Sequence, residues 1–263
     1  MHILEKKIRD AAQAGRYAVI PFLTAGYPDE DAFWKSLADL DQAGADVIEI
    51  GVPFSDPVAD GPVVEEASRQ VLAEGWTVAR ILEGLKMRRE IFGAAIVLMG
   101  YMNPFEQYGF EQLAQDCAEA GVSGLIVPDL PFEEAAPYRE ALKAKGVALI
   151  ALVGPNTSEE RMRLYAEVSE GYVYVVSVMG VTGERESVAP AIVATMERAR
   201  RCFRLPLALG FGLSRPEQLK ILPATGQPDA AVFGSALLKH LAGGGEAASF
   251  MARWTGEAGR RLD

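Results

Sequence analysis

Histidine and cysteine are scarce in this chain, with two of each among 263 residues. His2 is near the amino end, and His240 falls in a predicted carboxy-terminal helix. A zinc site normally draws on several His or Cys ligands, so no metal is expected, and a histidine general base is disfavoured. Cys117 and Cys202 are too few for a disulfide framework and suit buried positions in a reducing compartment. Positive charge is also short. Lys and Arg number 26 against 36 Asp and Glu, a net charge of −10. A nucleic-acid surface needs a basic face, so no nucleic-acid partner is expected. An anionic small molecule is still admissible, because backbone N–H groups at helix N-termini hold phosphates. No apolar run approaches the ~18 residues of a membrane span. The longest, Val147 to Val153, is strand-sized. Met1 to Asp10 carries both signs of charge and no apolar secretory segment. A cytoplasmic location without membrane contact is the expectation.

What is present is one pattern repeated: amphipathic helix, glycine, short apolar strand, loop. A helix from Ile3 to Ala14 precedes strand 1, Tyr17 to Thr24. A helix from Asp29 to Ala43 precedes strand 2, which begins at Asp46 and holds Glu49. A helical stretch from Val63 to Phe92, broken at Gly75, leads to strand 3, Ala95 to Tyr101, closed by Asn103-Pro104. Strands 4 to 8 are Gly124 to Pro128, Val147 to Val153, Tyr172 to Ser177, Leu207 to Leu209 and Ala230 to Phe233. Helices over Phe110 to Ala120, Glu133 to Lys145, Ser158 to Ser169 and Ala189 to Arg201 intervene. Another opens at Ser214, and terminal helices follow strand 8. The strands are apolar throughout, as in a parallel sheet with helices outside. Eight such units in about 250 residues predict an α/β TIM (β/α)8 barrel. It carries an extra N-terminal helix and additional helices after strands 2 and 8. Residues 1–263 read as one domain. An open doubly wound sheet is disfavoured, since Thr24-Ala25-Gly26-Tyr27, not a Gly-x-Gly-x-x-Gly, follows strand 1.

Two constellations carry chemistry. Glu49 interrupts a β-branched strand and must be paired, protonated or used. It is either half of a structural ion pair or an acid/base group at the barrel mouth, with Asp60 reaching over from the Pro- and Gly-rich loop that follows. Asp56 and Asp129 suit loop-structuring or interface roles. The second constellation is glycine: Val178-Met179-Gly180-Val181-Thr182-Gly183 after strand 6, Gly210-Phe211-Gly212 after strand 7, and Gly234-Ser235 opening a short helix after strand 8. Loops in these places form a recurrent phosphate site in TIM barrels. Singly, each is compatible with a plain turn. Gly180 to Gly183 also suits a lid. No predicted strand contains lysine, which disfavours a Schiff-base aldolase, and the histidine shortage disfavours a metal one. A phosphorylated substrate cleaved here would carry its own electron sink.

The stretch from Ala45 through Glu49, Gly51-Val52-Pro53-Phe54-Ser55-Asp56-Pro57 and Asp60-Gly61-Pro62 closely resembles the signature of the tryptophan synthase alpha subunit family. Pro21-Phe22-Leu23-Thr24-Ala25-Gly26, Tyr101-Met102-Asn103-Pro104, Pro128-Asp129-Leu130-Pro131 and the glycine motifs match in the same order. The resemblance implies a lyase that splits indole-3-glycerol phosphate into indole and glyceraldehyde 3-phosphate. Glu49 would be the general acid/base, and Asp60 would accept the indole N–H and stabilise positive charge on the ring. Phe22, Met99 and Ile126 would line the indole pocket, with Tyr174 beside Glu49. Gly183, Phe211, Gly212, Gly234 and Ser235 would hold the phosphate, and Thr182 of the lid would contact Asp60 on closure. Val178-Met179 departs from lid positions that are polar in some members. The family further implies a beta subunit in an α2β2 assembly, docked at Pro53, Asp56, Asn103, Phe105 and Pro131. Pyridoxal phosphate would belong to that partner and no cofactor to this chain. A free-standing lyase and a catalytically silent activator of the beta subunit are the alternatives.

Overall fold

The computed structural model describes residues 1–176, 190–210, 212–256 and 259. Its strands are β1 (Ala18–Thr24), β2 (Val47–Gly51), β3 (Ala95–Met99), β4 (Val122–Ile126), β5 (Ala148–Leu149), β6 (Ala151–Val153), β7 (Val173–Val176), β8 (Leu207–Gly210) and β9 (Ala230–Phe233). They lie in the order β5-β4-β3-β2-β1-β9-β8-β7-β6, and every pairing is parallel. The two outer strands are halves of one predicted strand, interrupted at Ile150. The Ile150 N–H still donates to Leu125 O at 2.9 Å, so the run from 148 to 153 joins β4 on one side to β7 on the other. The sheet is thereby a nearly closed barrel of the expected kind.

Its helices are α1 (Ile3–Gln13), α2 (Glu30–Gln42), α3 (Pro62–Ala73), α4 (Val78–Met87), α5 (Met102–Tyr108), α6 (Phe110–Glu119), α7 (Ala136–Lys143), α8 (Glu159–Val168), α9 (Pro190–Cys202), α10 (Glu217–Lys220), α11 (Ser235–Ala242) and α12 (Ala247–Thr255). Among these are the predicted N-terminal helix, the pair after β2 and the pair after β9. Ser158 caps α8, accepting from Arg161 N at 3.2 Å. The short α5 is not expected from the sequence, where Asn103-Pro104 only marks the close of the strand. Pro104 falls in the first turn, where its missing N–H has no helical acceptor to lose.

Alternation along the strands decides what faces inward. In parallel register Phe22 lies beside Glu49, Glu49 beside Val97, and Gly51 beside Met99, so each set shares the barrel's inner face. At the opposite end α1 packs against β1, β3 and β4 with Leu4 and Ile8 fully buried, which closes the barrel floor. There Asp46 takes Arg16 in a two-pronged pair at 2.6 and 2.8 Å and accepts Val19 N–H at 2.9 Å, tying β2 to β1. The charges at the floor are therefore paired. Among the described residues, Glu49 and Asp60 at the mouth have no ion-pair partner.

Candidate active site

The carboxyl ends of the strands surround a cleft of about 620 Å³. Phe22, Glu49, Asp60, Met99, Tyr174, Gly212, Gly234 and Ser235 all line it. Six separate strand ends and their loops thus bring together eight of the predicted site residues. Ile126 is the exception among those described. It stands beside Met99 in register and is fully buried, but it is not among the residues that line the cleft. Thr182, Gly183 and Phe211, with the rest of the predicted lid, lie outside the described residues.

Glu49 is 1% exposed, and neither carboxyl oxygen has a hydrogen-bond partner among the described residues. The ion-pair alternative for this side chain is therefore not realised among the described residues. Burial, and then the nearby charge of Asp60, pushes its pKa up from 4.5 to about 8. Near neutral pH Glu49 holds a proton.

Asp60 precedes Gly61, the N-cap of α3, where Pro62 supplies a pre-set first helical residue. Burial raises Asp60 from 3.8 to about 6. A hydrogen bond from Tyr101 opposes the rise, and Glu65 in the first turn of α3 adds to it. At neutral pH Asp60 is ionised while Glu49 is not, so the cleft holds one acid and one base of the same chemical type.

Tyr101 was not singled out by the sequence reading. It follows β3 and caps α5, and its hydroxyl accepts Ala59 N–H at 3.0 Å while donating to Asp60. Its ring lies 5.3 Å from that of Phe54. The phenol therefore fixes both ends of the loop that carries Asp60. A tyrosine just past a strand end, inside a matched motif, was the available signal.

Apolar shape comes from close backbone approach. The Phe22 ring lies against Gly51 and Gly234; a β-carbon at Gly51 would stand 2.5 Å from it. The Tyr174 ring crosses Gly210, where a β-carbon would stand 2.2 Å from Oη. Tyr172 and Tyr174 sit within reach of Glu49's field, and burial first, then that charge, lifts both phenols far above their ordinary range. At the far end Gly212 has φ +86°, a conformation that favours glycine. Gly234 is the N-cap of α11 and Ser235 its first residue, which aims unsatisfied N–H groups at the cleft.

The expected docking residues divide. Asp56 and Asn103 are exposed, with Asn103 Oδ1 accepting from Gln107 at 2.8 Å, and Pro131 is exposed beyond β4. Pro53 is buried at the edge of a separate open depression that Asn103 also lines. Phe105 is corrected: it is 0% exposed and anchors α5 from beneath, so it has no surface to offer a partner. Helix α5, read as a loop from the sequence, turns that ring inward. Asp129 has the loop-structuring role: its carboxylate accepts Met102 N–H at 2.9 Å at the start of α5.

Among the described residues no helix is long and apolar enough to cross a membrane, and no group of His, Cys, Asp and Glu could hold a metal ion.

The comparisons with known proteins agree with this geometry. Residues 8–256 match the family described as tryptophan synthase alpha chain. The tryptophan synthase alpha chain of Desulfovibrio desulfuricans is 65% identical over 97% of this chain and 100% of its own length. That of Nitratidesulfovibrio vulgaris is 59% identical over 95% and 97%. Among solved structures, Mycobacterium tuberculosis tryptophan synthase superposes with a TM-score of 0.87 at 32% identity, covering 100% of this chain and 99% of that one. A match spanning nearly the whole sequence, with both mouth carboxylates in one cleft, places the chain in the tryptophan synthase alpha chain family.

Proposed function

We propose that this chain cleaves indole-3-glycerol phosphate to indole and D-glyceraldehyde 3-phosphate, with residues 1–263 serving the site as one barrel domain. The observation that carries the reading is the pairing of a protonated, buried Glu49 with an ionised Asp60 in one cleft. Asp60 accepts the indole N–H, which raises electron density at C3. The Glu49 carboxyl donates its proton to C3, and the positive charge left on the ring faces the Asp60 carboxylate. Glu49, now a carboxylate, takes the proton of the glycerol hydroxyl next to the ring. As that hydroxyl becomes the aldehyde, the bond to C3 breaks and its electrons return to the ring. Indole, glyceraldehyde 3-phosphate and protonated Glu49 result, so the acid regenerates itself. The ring is the electron sink, which suits a barrel whose described strands carry neither lysine nor histidine.

Phe22, Met99 and Tyr174 form the apolar wall for indole. The amides at Gly212, Gly234 and Ser235, with Gly183 and Phe211, hold the phosphate. Thr182 meets Asp60 when the lid closes. Ile126, level with Met99 on the next strand, extends that apolar wall. Released indole passes to a beta subunit in an α2β2 assembly, docked over Pro53, Asp56, Asn103 and Pro131. Pyridoxal phosphate belongs to that subunit, this chain needs no cofactor of its own, and the reaction takes place in the cytoplasm. The test is indole release from indole-3-glycerol phosphate by the purified chain, with and without a tryptophan synthase beta subunit. Slow release alone and strong acceleration on mixing is the expected result. Fast release without the partner would make it a free-standing lyase, and no release in either mixture would refute the lyase reading.

A further inference from the structure

Three basic side chains from three separate elements line the cleft that also holds the Gly212, Gly234 and Ser235 end. Lys239 follows Ser235 by four residues on α11, so the two share a helix face. Arg253 comes from α12, and Arg215 from the segment before α10. All three line the same cleft as Gly212, Gly234 and Ser235. None of them is in an ion pair among the described residues. Arg200 and Arg201 on α9, by contrast, are held by Asp229 and Glu159. His240, in the same wall, is committed: its Nε2 lies 3.1 Å from Glu246 O and 3.0 Å from Ser249 Oγ. The Phe250 ring, 3% exposed, is a platform for the Arg253 guanidinium 5.6 Å from its centroid.

The sign of these charges runs against their setting. The chain carries a net charge of −10, and the cleft itself contains Glu49 and Asp60. A phosphate dianion approaching such a surface meets a repulsive field. Backbone amides offset this only within the first helical turn. Fixed cations at the rim reverse the local sign, and they raise both the anion's concentration there and its rate of entry.

We propose that Lys239 and Arg253, assisted by Arg215, form an outer anion-capture subsite that draws the phosphate end of the substrate into the cleft and separates phosphorylated from unphosphorylated indoles. The proposal rests on the reading of the Gly212, Gly234 and Ser235 end as the phosphate end. The phosphate passes inward from the side-chain cations to the amides. The cations then set how readily the anion arrives, not how fast the carbon–carbon bond breaks.

The test compares the wild-type chain with the Lys239→Gln/Arg253→Gln pair and the charge-conserving Lys239→Arg/Arg253→Lys pair. Indole release from indole-3-glycerol phosphate, and the dissociation constants of glycerol 3-phosphate and of indole, are measured at ~20 mM and ~300 mM ionic strength. The Gln pair should raise KM and the glycerol 3-phosphate dissociation constant about tenfold at low salt and about twofold at high salt, with kcat within about twofold and indole affinity unmoved. The charge-conserving pair should behave as wild type. An unchanged glycerol 3-phosphate dissociation constant at low salt would overturn the proposal, as would an equal loss of indole affinity. If the wild-type chain releases no indole, the lyase reading falls, and the glycerol 3-phosphate titration still decides the subsite.

Discussion

Replacing Glu49 by Gln should stabilise the fold, by an amount that grows with pH. In the folded chain the carboxyl titrates at about 8 against an ordinary 4.5. An acid whose pKa rises on folding binds its proton more tightly folded than unfolded. Below the unfolded value both states are protonated and nothing is lost. Between 4.5 and about 8 the unfolded chain gives up the proton and the folded chain does not, so stability falls as pH rises. Above about 8 the loss is complete. Each pH unit in that window costs about 1.4 kcal/mol. Gln has the shape of the protonated acid and no proton to lose, so it escapes this slope. The variant should therefore gain about 1 kcal/mol at pH 5 and about 4 kcal/mol at pH 8. Urea unfolding of both proteins at the two pH values measures this, from midpoints at a shared slope. An equal gain at pH 5 and pH 8, or a wild type as stable as the variant at pH 8, would refute the burial argument. The same result would show that Glu49 is ionised in the resting cleft.

Other outcomes follow from the same geometry. The kcat/KM profile for indole release should rise through pH about 6 as Asp60 ionises and fall through about 8 as Glu49 loses the proton it must donate. The falling limb is the diagnostic one, since a substrate phosphate also ionises near ~6; activity still climbing at pH 9 would exclude Glu49 as the acid. Gly210→Ala puts a methyl group 2.2 Å from Tyr174 Oη, so kcat/KM should drop at least ~10-fold and stability by about 1–3 kcal/mol. Wild-type kinetics in that variant would mean that the placement of Tyr174 does not matter. Gly212→Asp strains a backbone at φ +86° and adds negative charge at the phosphate end, so the glycerol 3-phosphate dissociation constant should rise at least ~10-fold. An unchanged constant would move the phosphate elsewhere.

The features legible in the sequence were those with local causes. Gly15, Gly44, Gly121 and Gly146 close helices at positive φ and mark where strands begin. Glu49 stood out because a charge in a β-branched strand has a high cost unless it is used. Gly212 and Gly234-Ser235 were visible as glycines after late strands. Features made by distant pairs were hidden. Tyr101 and Asp60 are 41 residues apart in sequence, and nothing local to either shows that one positions the other. The cationic rim assembles from residues 215, 239 and 253, each unremarkable in its own helix or loop. Phe105 was misplaced for a related reason. Reading Asn103-Pro104 as a loop left its ring exposed, whereas the turn of α5 carries it into the core. Ile126 shows the limit of strand alternation: register puts it level with Met99, yet only Met99 lines the cleft.

The most direct test of the account is indole release from indole-3-glycerol phosphate by the wild-type chain, Glu49→Gln and Asp60→Asn, each mixed with a beta subunit and each also titrated with glycerol 3-phosphate. The expected result is turnover by the wild type, losses of at least ~10²-fold in both variants, and an unchanged glycerol 3-phosphate dissociation constant. A Glu49→Gln chain that releases indole at the wild-type rate would contradict it.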